Sequence, residues 1–235
     1  MLRMAAASGT TELVATPHAN AEFPFDEQRV QQVFRDLCDR SGGFIKLHLG
    51  CELHLDYANL QKALIDPERY TINHGCYLML ELPDLVSVPL VRGLLKRLLD
   101  VRISPIITHP ERNISLQHQT DDLRRSVEDG CFLQLTAQSF IGRFGMSAKK
   151  AADCLLKAAL VHFVASDAHN STSRPPDLSM AYEYVSSRYG TDRAEALFQK
   201  NPDSVVWGQS IAVRPVCRDL PKVFGFLRQR FSGAR

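Results

Sequence analysis

Short, wholly apolar runs alternate along this chain with segments whose apolar residues recur every three or four positions. The first kind reads as strand and the second as helix. Residues 1–7 read as the end of an amphipathic helix closed by Gly9. Glu12-Leu13-Val14-Ala15-Thr16 is the first strand, stopped by Pro17, with His18 after it. Asp26 caps a helix with an apolar face of Val30, Val33, Phe34, Leu37 and Cys38, ended by Ser41-Gly42-Gly43. A second strand covers 44–50, and Cys51-Glu52-Leu53 falls at or just beyond its end. A short helix over 58–65 closes at Asp66-Pro67.

The third strand, 77–80, runs into Glu81-Leu82-Pro83. Val88, Val91, Leu94, Leu95, Leu98 and Leu99 mark the following helix. The fourth strand, 103–108, ends at His109-Pro110-Glu111-Arg112. A polar helix over 119–129 and a fifth strand over 132–135 come next, and Ser147 is expected to cap a helix over 148–159. The sixth strand ends at Asp167-Ala168-His169, and helices follow near 177–189 and 191–200. Residues 212–235 form a basic tail broken by Pro215 and Pro221, with a short helix expected over 222–230.

Strand–helix alternation with fully apolar strands predicts the α/β class, a parallel sheet covered by helices. An open doubly wound sheet fits the pattern. However, chemically distinctive residues follow almost every strand, not one switch point. That favours a closed or nearly closed β/α barrel with its reactive face at the strand C-termini. One domain is expected over 1–211, with 212–235 as an appendage.

Composition narrows the function without choosing it. A net charge of +2 over 235 residues gives no electrostatic case for nucleic acid or a membrane surface. No apolar run reaches the roughly 18 residues of a membrane span, and the N-terminus lacks the layout of a signal peptide. Six cysteines, at 38, 51, 76, 131, 154 and 217, form no C-x-x-C pair. Cys131 and Cys154 lie in apolar runs and are expected as buried thiols, which suits the cytoplasm.

The strand-end residues are His18, Glu52, Glu81, His109, Asp167 and His169. Three imidazoles and three carboxylates without a thiolate suit Mn, Fe or Zn in a multinuclear hydrolytic centre. Cations bridged by carboxylates lower the pKa of a shared water and make it a nucleophile. Taken singly, Glu52 and Glu81 read equally as capping acids, and His18 as a turn residue. The recurrence over successive units carries the argument. Arg112 and Arg174 are candidates to grip phosphate oxygens, with surface ion pairs as the alternative. His48, His54, His74, His118 and His162 are weaker candidates; His48 and His162 read as core or surface histidines, and His118 as solvated. No cysteine has an arginine six residues on, so a thiolate phosphatase is excluded. P-loop, G-x-G-x-x-G and G-x-S-x-G patterns do not occur.

Ala15-Thr16-Pro17-His18, Gly50-Cys51-Glu52-Leu53, Leu80-Glu81-Leu82-Pro83, Thr108-His109-Pro110-Glu111-Arg112 and Ala165-Ser166-Asp167-Ala168-His169 occur in this order. Together they resemble the polymerase-and-histidinol-phosphatase (PHP) superfamily. More closely, they are similar to its bacterial tyrosine-protein phosphatases of capsular and exopolysaccharide gene clusters. Phe140-Ile141-Gly142-Arg143-Phe144-Gly145 before a helix fits that subfamily.

The resemblance implies a distorted TIM-like β/α barrel and a manganese centre of two to three ions. It implies hydrolysis of phosphotyrosine in a protein, the usual substrate being a tyrosine kinase of polysaccharide synthesis. Carried over, His18, Glu52, Glu81, His109, Asp167 and His169 are metal ligands, with Arg112 and Arg174 on the phosphate. Alternatives are a PHP phosphoesterase acting on a small ester such as histidinol phosphate, or a relative that binds phosphopeptide without hydrolysis. The family opens with a strand carrying D-x-H-x-H, and this sequence starts after it. The first strand and its ligands are therefore expected to be missing, through a misplaced start or a fragment. Two exposed sheet edges should follow, and with them a tendency to form homo-oligomers.

Overall fold

The computed structural model describes residues 1–211. Its strands are β1 (Glu12–Ala15), β2 (His18–Ala19), β3 (Lys46–Leu49), β4 (Glu52–His54), β5 (Tyr77–Glu81), β6 (Ser104–Thr108), β7 (Phe132–Thr136) and β8 (Phe163–Ala165). All pairs are parallel. β1 pairs with β3, and a six-stranded sheet runs β2-β4-β5-β6-β7-β8. β1 and β2 are two halves of one extended stretch, interrupted at Pro17, which has no N–H for a ladder. β3 and β4 are likewise halves broken at Gly50-Cys51. Only glycine fits there: a Cβ on Gly50 would lie 2.9 Å from Ile72 Cγ1.

Spatial order therefore follows chain order, as in a β/α barrel. The helices are α1 (Leu2–Ala7), α2 (Glu27–Ser41), α3 (Tyr57–Ile65), α4 (Val88–Asp100), α5 (Thr120–Glu128), α6 (Ala137–Phe140), α7 (Gly145–Lys157), α8 (Ser179–Tyr189), α9 (Thr191–Glu195) and α10 (Asn201–Val206). A π-helical turn, Ala196–Lys200, joins the last two.

Alternation along the strands separates two cores. Leu53, Leu78, Leu80, Ile107, Leu133, Leu135 and Val164 pack outward with the helix faces. Tyr77, Met79, Ile106, Phe132 and Phe163 form a second cluster on the opposite face, closed below by Val205 and Ile211. Each fully buried leucine contributes roughly 1.5–3 kcal/mol relative to exposure.

The sheet does not close into a complete barrel. Among the described residues, neither the β1–β2 stretch nor β8 pairs with a strand on its outer side. A cavity of 790 Å³ lies at this seam, lined by Val14, Thr16, Met79, Ile106, Gln134 and Phe163 and reaching Glu52 and Asp167.

Other expectations need correction. Glu52 opens β4 and His18 opens β2, and the two are paired within the ladder; neither lies beyond a strand end, because the strands resume after Gly50 and Pro17. Ser147 sits inside α7 and bonds Gln117; it is not the cap, because Gly145 starts the helix two residues earlier. Cys154 is exposed, as α7 turns its sulfur outward. The tail helix expected over 222–230 lies outside the described residues.

Candidate active site

Parallel register gathers the candidate residues. His18 is the ladder partner of Glu52, and His54 the partner of Glu81. Side chains at paired positions point to the same face, so each pair meets inside the curve of the sheet. His18 Nδ1 lies 3.4 Å from Glu52 Oε2, and His54 Nδ1 lies 3.4 Å from Glu81 Oε2. His109 Nε2 joins the two pairs, 3.1 Å from Glu52 Oε1 and 3.6 Å from Glu81 Oε1. One continuous network thus links three strands and the β6 loop.

Two of these residues carry unusual backbone. His109, one residue beyond β6, has φ 37°, and Asp167, two residues beyond β8, has φ 48°. Positive φ costs a residue with a Cβ of order 1 kcal/mol or more, and such strain persists where the surroundings impose it. The twist brings His109 under the strand ends while its N–H still bonds Gln134 O at 2.9 Å. Asp167 is held by Arg112 and Arg174, both of which reach its Oδ2. His169 Nδ1 lies 3.6 Å from Asp167 Oδ1, and its ring centroid is 5.7 Å from that of His18. This imidazole pair spans the seam at the rim, although no ladder crosses it.

The electrostatics are those of a dense charge cluster. Burial opposes ionisation of Glu52, but the His109 hydrogen bond and charge outweigh it and hold its pKa down at about 2. Burial likewise disfavours charged His109, and Glu52 overrides that, raising its pKa. Glu111 is fully buried, which pushes its carboxyl up. Its Oε1 accepts from Thr136 N at 2.9 Å and Ser139 Oγ at 2.7 Å.

The loop after β8 is organised by Asn170. Its Oδ1 accepts from the backbone N–H of Thr172, Ser173 and Arg174 at 2.9, 2.7 and 3.0 Å. This Asx-type turn fixes the approach of Arg174. Arg143 steadies the same loop through the carbonyls of Thr172 and Ser173.

All six sequence-predicted ligands and both arginines therefore converge on one rim. Among the described residues, no three of these side chains already form a closed metal-holding group. The carboxylates are paired instead with imidazoles and guanidiniums. The donor chemistry still fits hard or borderline cations. His18 Nδ1, although near Glu52, is also buried without a hydrogen bond, a ring nitrogen that a ligand could satisfy. Sequence reasoning ranked His54 low; its placement two residues after Glu52 was the available signal, since both then share one strand face. Glu111 carries no signal in the sequence beyond its place in Thr108-His109-Pro110-Glu111-Arg112. His48, in contrast, is buried away from this cluster, bonding Glu12 and Asn73.

A parallel β/α array with imidazoles, carboxylates and paired arginines at its strand ends defines a barrel-type protein with a metal- and phosphate-compatible rim. Residues 1–207 match the model of the family "Capsular polysaccharide synthesis, CpsB/CapC". The chain belongs to that family, as the motif resemblance implied. It is 29% identical over 212 residues to the tyrosine-protein phosphatase CpsB of Streptococcus pneumoniae, covering 86% of this chain and 87% of that protein. It is 30% identical over 236 residues to the tyrosine-protein phosphatase YwqE of Bacillus subtilis, covering 96% and 90%. A crystal structure from work on YwqE and CpsB, described as unique metal-dependent tyrosine phosphatases, aligns with a TM-score of 0.81. It shares 26% identity and covers 92% of this chain and 88% of its own.

Proposed function

We propose that this chain is a metal-dependent protein-tyrosine phosphatase. The observation that carries the reading is the convergence of His18, Glu52, Glu81, His109, Asp167 and His169 beside Arg112 and Arg174. Those six side chains, joined by His54, are the groups that would hold the metal; the donor set suits Mn, Fe or Zn, and manganese is the one that the family resemblance favours. Bound cations would lower the pKa of water and offset charge on the phosphate and the departing phenolate.

The remaining chemistry belongs to the chain itself. Arg112 and Arg174 present two guanidiniums at one point, now filled by the Asp167 carboxylate. A phosphoryl group offers the same kind of oxygen acceptor with more charge, and two forked donors fix it in one orientation. Glu52 stays ionised well below neutral pH, and His109 remains pinned between Glu52 and Glu81. These fixed charges are already oriented and need little rearrangement when charge develops on the substrate.

The relatives' names support phosphotyrosine in a capsule-synthesis protein as the substrate, most simply a polysaccharide-synthesis tyrosine kinase. A cytoplasmic location suits such a partner. Among the described residues no helix is long and apolar enough to cross a membrane. The unpaired edges at the seam support self-association. The test compares initial rates on a phosphotyrosine peptide, a phosphoserine peptide and histidinol phosphate, with Mn²⁺ supplied. Preference for the phosphotyrosine peptide supports the reading; faster turnover of histidinol phosphate replaces it with a small-ester phosphatase.

A further inference from the structure

Beside the two arginines stands an aromatic ring that the chemistry above leaves unused. The ring centroid of Phe144 is 4.3 Å from the Arg112 guanidinium carbon and 5.8 Å from that of Arg174. Both distances fall within the range of cation–π attraction. The ring thus sits against both groups that converge on Asp167.

Phe144 is also firmly mounted. Gly142-Arg143-Phe144-Gly145 is a turn closed by Gly145 N–H to Gly142 O at 3.0 Å. Gly142 and Gly145 have φ of 80° and 88°, a conformation that favours glycine, so the turn depends on both. Arg143 ties the turn to the loop bearing Arg174 through the carbonyls of Thr172 and Ser173. Phe144 itself is only half-buried, so it retains surface with which a ligand can make contact.

We propose that Phe144 determines specificity, selecting aryl over alkyl phosphate monoesters by offering its ring to the ester's aromatic group while Arg112 and Arg174 hold the phosphate. This rests on the reading of those arginines as phosphate-binding. A phosphoryl group held by the guanidiniums carries its ester substituent on one oxygen. Aromatic pairs interact at centroid separations of about 4.5–7 Å, and a ring this close to Arg112 is within that reach. A phenyl group gains the ring contact. A methyl or seryl group, being smaller and without π-electrons, gains far less.

The experiment measures binding of inorganic phosphate, methylphosphonate and phenylphosphonate by calorimetry, with Mn²⁺ present; the P–C bond of the two phosphonates prevents turnover. It uses the full chain and its Phe144→Leu and Phe144→Tyr variants. Wild type should prefer phenylphosphonate over methylphosphonate by roughly three- to tenfold, as expected for one aromatic contact. In Phe144→Leu that ratio should fall towards one while affinity for inorganic phosphate changes less than about twofold. Phe144→Tyr should restore the ratio. A phenyl preference that survives in Phe144→Leu overturns the proposal. So does an equal loss for all three ligands, which would make Phe144 a support for the arginines only. If wild type binds none of the three, the phosphate-binding reading itself fails, a result distinct from either of these. Should Phe144→Leu not fold, Phe144→Met carries the same comparison.

Discussion

At the scale of single residues, the site shows how neighbours decide charge. Glu52 and His109 are both buried, yet each favours the charged form of the other, lowering the carboxyl's pKa and raising the imidazole's. His162 shows the opposite case. It is buried, and burial, with the Arg193 charge adding to it, pushes its imidazole down to about 4. Unfolded, it binds a proton near its ordinary value of 6.5. Below that pH the unfolded chain therefore holds more protons than the folded one, and stability falls as pH drops towards 4. The shift corresponds to roughly 3 kcal/mol. Denaturant unfolding followed from pH 7 to pH 4 should show this loss, and a His162→Leu variant should show a flatter profile, although Leu133 N–H loses its acceptor. An unchanged slope would place the acid sensitivity elsewhere.

The residues also show what a linear reading catches. The six strand-end ligand candidates were legible because each follows or ends an apolar run. His54 was not, because one-by-one ranking ignores the alternation that sets it beside Glu52. The contact of Phe144 with Arg112 and Arg174 joins residues about 30 positions apart and leaves no local signal.

At the scale of elements, most strands and helices were readable from periodicity alone. Two failures have clear causes. Pro17 reads as a stop, yet the chain resumes in β2, since a parallel neighbour can bond the residues beyond it: Glu52 N–H donates to Pro17 O at 3.1 Å. α6 has no amphipathic period because Ala137, Gln138, Ser139 and Phe140 are all buried. That short helix is fastened by Glu111, which accepts from Thr136 N–H and Ser139 Oγ across the β7–α6 junction. Glu111→Ala leaves both donors unpaired in a dry interior, at a cost of about 1–3 kcal/mol. Thermal unfolding should show a lower midpoint by several degrees. Glu111→Gln keeps one acceptor oxygen and should lose less. Equal loss in the two variants would mean that packing, not hydrogen bonding, fastens the junction.

At the scale of the molecule, the rim draws on β2, β4, β5 and the loops after β6, β7 and β8, so it exists only when the whole sheet is wound. The winding leaves a seam between the first and last strands, bridged at the rim by the rings of His18 and His169. The central claim is that these strand-end side chains make a metal-dependent phosphatase. Its most direct test is phosphate release from a phosphotyrosine peptide across a Mn²⁺ titration, for wild type and His109→Ala. Release should rise with Mn²⁺, stop on chelation and fall at least about a hundredfold in the variant. Release indifferent to Mn²⁺, or equal in His109→Ala, would contradict it.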